Sequence, residues 1–328
     1  DQFRGGKRPA RHGPVARSMT GGSCAAISLH YSPARMASEI ERITGFLSSR
    51  IQPGQKAVLG ISGGIDSDVT ARLAVRALGA DRLKLFTVVQ ADMELRHLHN
   101  ARSLAAELRI PLVEIPLAPW APALIDMLAE ADPGEGFSNA AFLDIGRAKN
   151  SLRTVVYSTY HDRGYLTLGT SNRTEAECGF FVRLGDGIWH LGPLAHLYKT
   201  QVYQLAETLH CDPEVIRQPA SAGYWNGESD LEDLAYWLVN EGPVGAQRHF
   251  SPADVELAQA IWSELSFERI DRGLQAIAAG SLDAAAIAAG SALPVATAQR
   301  LLRLTQAART IRGVPLGVLP RPLPARGQ

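Results

Sequence analysis

Cysteine is nearly missing from this 328-residue chain: Cys24, Cys178 and Cys211 are its three, widely spaced and in no Cys-x-x-Cys pair. That excludes a disulfide framework and a cysteine-built zinc site, and it fits a reducing, cytoplasmic setting. Long apolar runs are missing too; none approaches the roughly 18 residues that a membrane helix needs. Neither sign of charge is in excess, with 33 Lys and Arg against 33 Asp and Glu, so nothing global draws the chain to nucleic acid or to an anionic membrane. A glycine-rich loop is present, but the Gly-Lys-Ser/Thr of a Walker-type phosphate loop is not. What remains is the composition of an ordinary globular protein, 46% apolar and 20% charged, long enough for one large domain or two modest ones.

Residues 1–36 are rich in Gly, Arg and Pro without periodicity and are expected to form a disordered tail. An Arg-rich, acid-poor start also has the composition of a transit peptide; the tail is the preferred assignment. An α/β pattern follows over residues 37–236. Strands are expected at Lys56–Ile61, Leu83–Val89, Leu112–Leu117 and Tyr165–Leu168, with helices at Asp66–Leu78, along the stripe Leu98, Ala101, Leu104, Ala105 and Leu108, and at Leu143–His161. Alternation of this kind predicts a doubly wound, mostly parallel sheet covered on both faces, with ligands beyond the carboxyl ends of the strands. Residues 237–315 read as a helical C-terminal portion, with helices at Ala253–Leu265, Phe267–Ala279 and Val295–Thr310 and an apparent insertion around 237–268. Residues 316–328 are Pro-rich and expected to be extended.

The stretch "GISGGIDS", Gly60–Ser67, joins the first strand to the first helix of this pattern. Gly63 and Gly64 allow a tight turn and close approach to an anion. Amides at the start of the helix then face that anion, and the helix dipole favours its charge. Ser62 and Ser67 add hydroxyl donors. Asp66 is out of place in an anion cradle unless it holds Mg²⁺, which bridges phosphate oxygens and reverses the local charge. Two glycines in a turn carry little information; Ser-Gly-Gly-x-Asp-Ser between a buried strand and an amphipathic helix carries much more.

This loop resembles that of the ATP-pyrophosphatase (PP-loop) superfamily, whose members transfer AMP to a substrate oxygen and release pyrophosphate. The resemblance implies the adenine nucleotide α-hydrolase-like form of the doubly wound sheet and answers the missing lysine, because the loop would hold the leaving pyrophosphate. Leu168–Leu209 ("LGTSNRTEAECGFFVRLGDGIWHLGPLAHLYKTQVYQLAETL") and Gln218–Ala235 ("QPASAGYWNGESDLEDLA") are similar to the ammonia-dependent NAD synthase family in motif order and spacing. The resemblance covers most of residues 38–235. It implies ATP binding by Gly60, Ser62, Gly63, Gly64, Asp66, Ser67, Thr170, Lys199 and Ser221. It implies Mg²⁺ on Asp66 and Glu175 and a phosphate-binding role for Lys199. Each residue alone reads as a solvated surface group; the ordered set carries the signal.

On the acceptor side the chain departs from the family. The family arginine that binds the dinucleotide falls at Asn150 or Ser151 of "GRAKNSLR", with Lys149 or Arg153 as substitutes. Arg183 stands in place of a lysine, and His190 in place of an acidic residue. The Gly185–Gly187 turn is intact, and its Asp186 is a candidate for orienting ammonium or accepting a proton. The resemblance therefore implies an AMP-forming amide ligase: a carboxylate attacks the α-phosphate of ATP, and ammonia displaces AMP. The carboxylate is that of nicotinate adenine dinucleotide or of a different acid. Nitrogen comes from free ammonia or from a separate glutaminase, since no cysteine has a nucleophile-like context. Family members are homodimers, so a homodimer is implied by analogy. Two other readings rank lower. Cys178 near Glu175 would suit a sulfur-transferring relative, but a lone cysteine is more often core. Ser281–Leu304 has a helix-turn-helix shape, but its second helix carries few cations (Arg300, Arg303), which disfavours DNA.

Overall fold

The computed structural model describes residues 28–311 apart from 91–92, 222–226, 228 and 246–247. The expectations for residues 1–27 and 312–328, and Cys24 with them, lie outside the described residues. Four strands, β1 (Lys56–Gly60), β2 (Leu83–Val89), β3 (Leu112–Pro116) and β4 (Tyr165–Thr167), pair in parallel in the order β3-β2-β1-β4. Beyond β4, Leu168 bridges to Leu191 and adds the start of a fifth position at that edge. The chain winds outward from β1 to β3 and then returns to the other side of β1. This reversal opens a crevice at the carboxyl ends of β1 and β4.

Thirteen α-helices accompany the sheet among the described residues. They are α1 (Pro33–Arg50), α2 (Ile65–Leu78), α3 (Leu95–Glu107), α4 (Trp120–Ala131), α5 (Phe142–His161), α6 (Arg173–Cys178), α7 (Lys199–Thr208), α8 (Pro213–Arg217), α9 (Asp230–Asn240), α10 (Pro252–Glu264), α11 (Phe267–Ala278), α12 (Ala284–Ser291) and α13 (Val295–Ile311). The period-two alternation of the strands assigns the two faces. Ala57, Leu59, Leu83 and Leu85 point to a core shared with α1, α2, α3 and α7. Val58, Phe86 and Val88 point the other way, against Val156, Tyr157 and Tyr160 of α5. Both faces are therefore covered, as expected. No helix among the described residues is long and apolar enough to cross a membrane.

Two expected boundaries move. Residues 33–36, assigned to the tail, are the first turn of α1. Ser32 accepts from the Arg35 amide as N-cap, Pro33 occupies the first turn, and Met36, Ile40, Ile43 and Leu47 form a buried stripe at helical spacing. The boundary at 236 falls inside α9, whose Leu234, Ala235, Leu238 and Val239 belong to the same core as α10–α13. Cys178 and Tyr198, from the edge of the α/β portion, reach into this second core. Cys178 and Cys211 are buried free thiols.

Candidate active site

The Ser62–Ser67 loop is tied by its own hydroxyls. Ser67 Oγ accepts from the Ser62 amide at 3.3 Å and donates to the Gly64 carbonyl at 2.9 Å; Ser62 Oγ accepts from the Gly64 amide at 3.3 Å. Gly63 has φ +80°, and a Cβ there would lie 2.1 Å from the carbonyl oxygen of His97 at the start of α3. Its carbonyl accepts from Asn100 Nδ2 at 3.2 Å and from Gln218 Nε2 at 2.9 Å. Both the backbone conformation and the contact demand glycine. Gly63→Ala is expected to destabilise the protein by at least ~1–2 kcal/mol, seen as a lower urea midpoint; an unchanged midpoint would show that the loop relaxes freely.

Asp66 lies in the first turn of α2, Glu175 in the first turn of α6 and Lys199 at the first position of α7. The three converge. Lys199 Nζ donates to Asp66 Oδ2 and lies 3.8 Å from Glu175 Oε1. Asn172, fully buried, bridges the two acids, with Nδ2 donating to Asp66 Oδ1 at 3.1 Å and to Glu175 Oε1 at 2.6 Å. Asn172 and Glu175 also form a reciprocal capping box at the start of α6. Burial, and then the Asp66 carboxylate, push Glu175 well above the usual carboxylate range, against the pull of Lys199. Burial alone would lower Lys199, but Asp66, Glu175 and Asp230 outweigh it and hold its ammonium above the usual lysine range.

Asp66 and Glu175 line a solvent-open cleft that lies beyond the carboxyl ends of β1, β2 and β4. Of the residues expected to bind ATP, Gly60, Ser62, Asp66, Thr170 and Ser221 line it, as do Glu175, Asp186 and Asp230. Gly63, Gly64 and Ser67 do not line it; they shape the loop behind. Lys199 is also set back, its side chain 2% exposed beneath the two acids, so in this structure it neutralises carboxylates and does not project into the cleft.

The four residues expected to bind the acceptor are not brought together. Arg153 lines the cleft; among the described residues it is the only lysine or arginine that does. Lys149 is buried on α5, and Arg183 lies exposed outside the cleft. His190 Nδ1 sits 2.6 Å from Thr167 Oγ1 and its ring packs 4.4 Å from that of His161, so its hydrogen bonding is directed at β4. Asn150, one of the two positions where the family arginine would fall, has a structural task. Its Oδ1 accepts from the Asp186 amide at 2.8 Å, and a Cβ on Gly185 would fall 1.9 Å from that oxygen. Asp186 Oδ1 in turn accepts from the Val182 amide at 2.7 Å. Burial pushes the Asp186 carboxyl above its usual range, opposed by that amide and by Arg153.

The description "NAD synthase" belongs to the family model that matches residues 39–241. The chain belongs to the NAD synthase family. This is a family of carbon–nitrogen ligases. The chain is 33% identical to the NH3-dependent NAD+ synthetase of Thermoplasma acidophilum over 197 residues, 60% of this chain and 78% of that one. It is 30% identical to that of Pyrococcus horikoshii, over 62% of this chain and 75% of the relative. Its fold is similar to a solved NAD+ synthetase from Burkholderia pseudomallei, with a TM-score of 0.59, 24% identity, and coverage of 88% of this chain and 93% of the other. An NMN synthetase from Francisella tularensis aligns with a TM-score of 0.55 at 24% identity, over 71% and 93%.

Several residues of this NAD synthase-family site were not singled out from the sequence. Asn172 was detectable: Asn172-x-x-Glu175 has the spacing of a capping box. Asn100 and Gln218 were not, because they meet at 2.9 Å across a separation of 118 residues. Gln90, at the carboxyl end of β2, is 5% exposed and lines the cleft, and neither its Oε1 nor its Nε2 has a hydrogen-bond partner. A buried amide without partners is costly and points to a ligand that satisfies it.

Proposed function

We propose that this chain converts nicotinate adenine dinucleotide to NAD by amidation, consuming ATP and ammonia and releasing AMP and pyrophosphate. The observation that carries this reading is that Ser62, Asp66 and Glu175 line one cleft with Lys199 set behind the two acids. The carboxylate oxygen of the acceptor attacks the α-phosphorus of ATP, and the bond to the β-phosphate oxygen breaks. Ammonia then attacks the acyl carbon, AMP leaves with the bonding pair, and a proton is released. Ser62, the loop hydroxyl that lines the cleft, would donate to the departing pyrophosphate beside the start of α2. Holding the reactants in line supplies much of the acceleration.

Mg²⁺ fits the residues present. Asp66 and Glu175 supply two hard oxygen donors, and a cation would favour the ionised form of Glu175 that burial and then the Asp66 carboxylate disfavour. Among the described residues no group of three or more His, Cys, Asp or Glu is placed to hold a metal, so phosphate oxygens and water would complete the shell. When bound, the cation would polarise phosphate oxygens. Gln90 is the candidate reader of the base, since an amide pairs bidentately with the adenine edge. Gln90→Leu is expected to raise KM for ATP about tenfold with kcat little changed, because such a pair is worth about 1–3 kcal/mol. A KM equal to that of the wild type would remove Gln90 from the nucleotide site.

A second reading keeps the chemistry and changes the acid. It is favoured by Arg153 being the only cation lining the cleft among the described residues, where a dinucleotide carries two phosphates to be matched. One experiment separates the two. Protein is incubated with Mg-ATP, ammonium and nicotinate adenine dinucleotide, and NAD, AMP and pyrophosphate are quantified. Stoichiometric NAD and AMP establish the first reading. Mg-dependent ATP binding without NAD formation directs the search to other carboxylates.

A further inference from the structure

Asp271 lies on α11, in the helical C-terminal portion, and is 0% exposed. Both of its oxygens are used across the boundary with the α/β portion. Oδ1 accepts from Thr174 Oγ1 at 2.5 Å. Oδ2 accepts from the Thr200 amide at 2.9 Å and from Thr200 Oγ1 at 2.6 Å. Thr174 Oγ1 also accepts from the Lys199 amide at 2.8 Å, closing a loop of bonds. Thr174 directly precedes Glu175 in the first turn of α6, and Thr200 directly follows Lys199 in the first turn of α7. The first turns of two helices therefore meet at one carboxylate. Phe267, one turn earlier on α11, places its ring 5.5 Å from Lys199 Nζ.

We infer that Asp271 is a positioning residue for the nucleotide site: by joining the first turns of α6 and α7 it sets the separation of Glu175 and Lys199. Asp271 touches no part of the cleft and has no role in bond making. Its role follows from geometry. Glu175 and Lys199 lie on separate short helices, and one shared acceptor is the means by which a third helix fixes both at once. The C-terminal helices are thus part of the catalytic apparatus through a side chain that substrate does not reach. This inference rests on the proposed ATP and Mg²⁺ roles of Asp66, Glu175 and Lys199.

The test uses the full chain and the variants Asp271→Asn and Thr174→Val. Asparagine keeps the shape and one acceptor oxygen; valine removes both the bond to Asp271 and the acceptor for the Lys199 amide while leaving Asp271 bonded to Thr200. Three quantities are measured: thermal midpoint, the Mg²⁺ concentration that half-saturates ATP binding, and kcat separately from KM. The expected result for both variants is a cooperative thermal transition, a half-saturating Mg²⁺ concentration raised about tenfold, and kcat lowered about tenfold. A merely structural aspartate would lower the thermal midpoint and leave the Mg²⁺ midpoint of the folded fraction where it was, and that result overturns the inference. Should Asp271→Asn fail to fold, Thr174→Val decides alone: an unshifted Mg²⁺ midpoint overturns the inference. Binding is read without any acceptor, so the choice of carboxylate does not enter. A wild-type chain that binds no Mg-ATP would sink the proposed function itself, whereas wild-type binding with unshifted variants sinks only this inference.

Discussion

Asp66→Asn is expected to leave a folded protein whose AMP-forming turnover falls about a thousandfold, the scale on which removing one preorganised electrostatic contact slows such chemistry. Asparagine retains an oxygen to accept from Lys199, so the buried ammonium keeps a partner. What is lost is a negative charge on the cleft lining and the acceptor for Asn172 Nδ2. The comparison to make is steady-state AMP release, alongside direct titration of Mg²⁺ or Mn²⁺ in the presence of ATP. Metal affinity should fall with turnover. Turnover within about tenfold of the wild type would show that Asp66 has only a packing role at the start of α2.

Lys199→Met should have the largest effect on stability. The ammonium is almost wholly enclosed, and it is the cation in contact with both Asp66 and Glu175. Methionine fills similar space but leaves two neighbouring, partly exposed carboxylates with their mutual repulsion uncompensated. Removing one partner of a fully buried pair costs about 3–5 kcal/mol; here the two acids face the cleft, so the loss should be about 2–3 kcal/mol. Urea unfolding without divalent cation should show a loss of that size. Added Mg²⁺ with ATP should recover part of it, since a ligand that binds only the native state raises its stability. A variant as stable as the wild type would mean that a proton on Glu175 already serves as the counter-charge, and that Lys199 is dispensable to the fold.

These two residues show how far reasoning from sequence reaches. Asp66 was legible in both place and neighbourhood, because a strand, a glycine turn and a helix follow one another within a dozen residues and local geometry dictates where its carboxylate lies. Lys199 was legible as a member of the site but not in its posture. Sequence pattern expected it to face phosphate; the structure tucks it beneath Asp66, held by an acid 133 positions away. The acceptor side was least legible. Arg183 and His190 were assigned by their places in an ordered motif, yet a change of one residue in a turn decides which side of the chain meets the cleft, and His190 turns to Thr167. Asn150 looked like a lost cation and is instead the clamp on the Gly185–Gly187 turn.

Strand periodicity, loop composition and the order of short motifs were enough to determine the α/β class, the location of the glycine loop and membership of the NAD synthase family. Each depends on residues close in the chain, where spacing translates directly into direction. Tertiary structure alone decided which polar groups meet: Asn172 between two acids, Asn100 with Gln218 behind the loop, Gln90 unpaired in the cleft, and Asp271 across two helix starts. The bonds Asn172–Asp66, Asn100–Gln218, Asp271–Thr174 and Asp271–Thr200 join residues 71 to 118 positions apart. They depend on how helices pack against one another, and no local periodicity encodes that angle or depth.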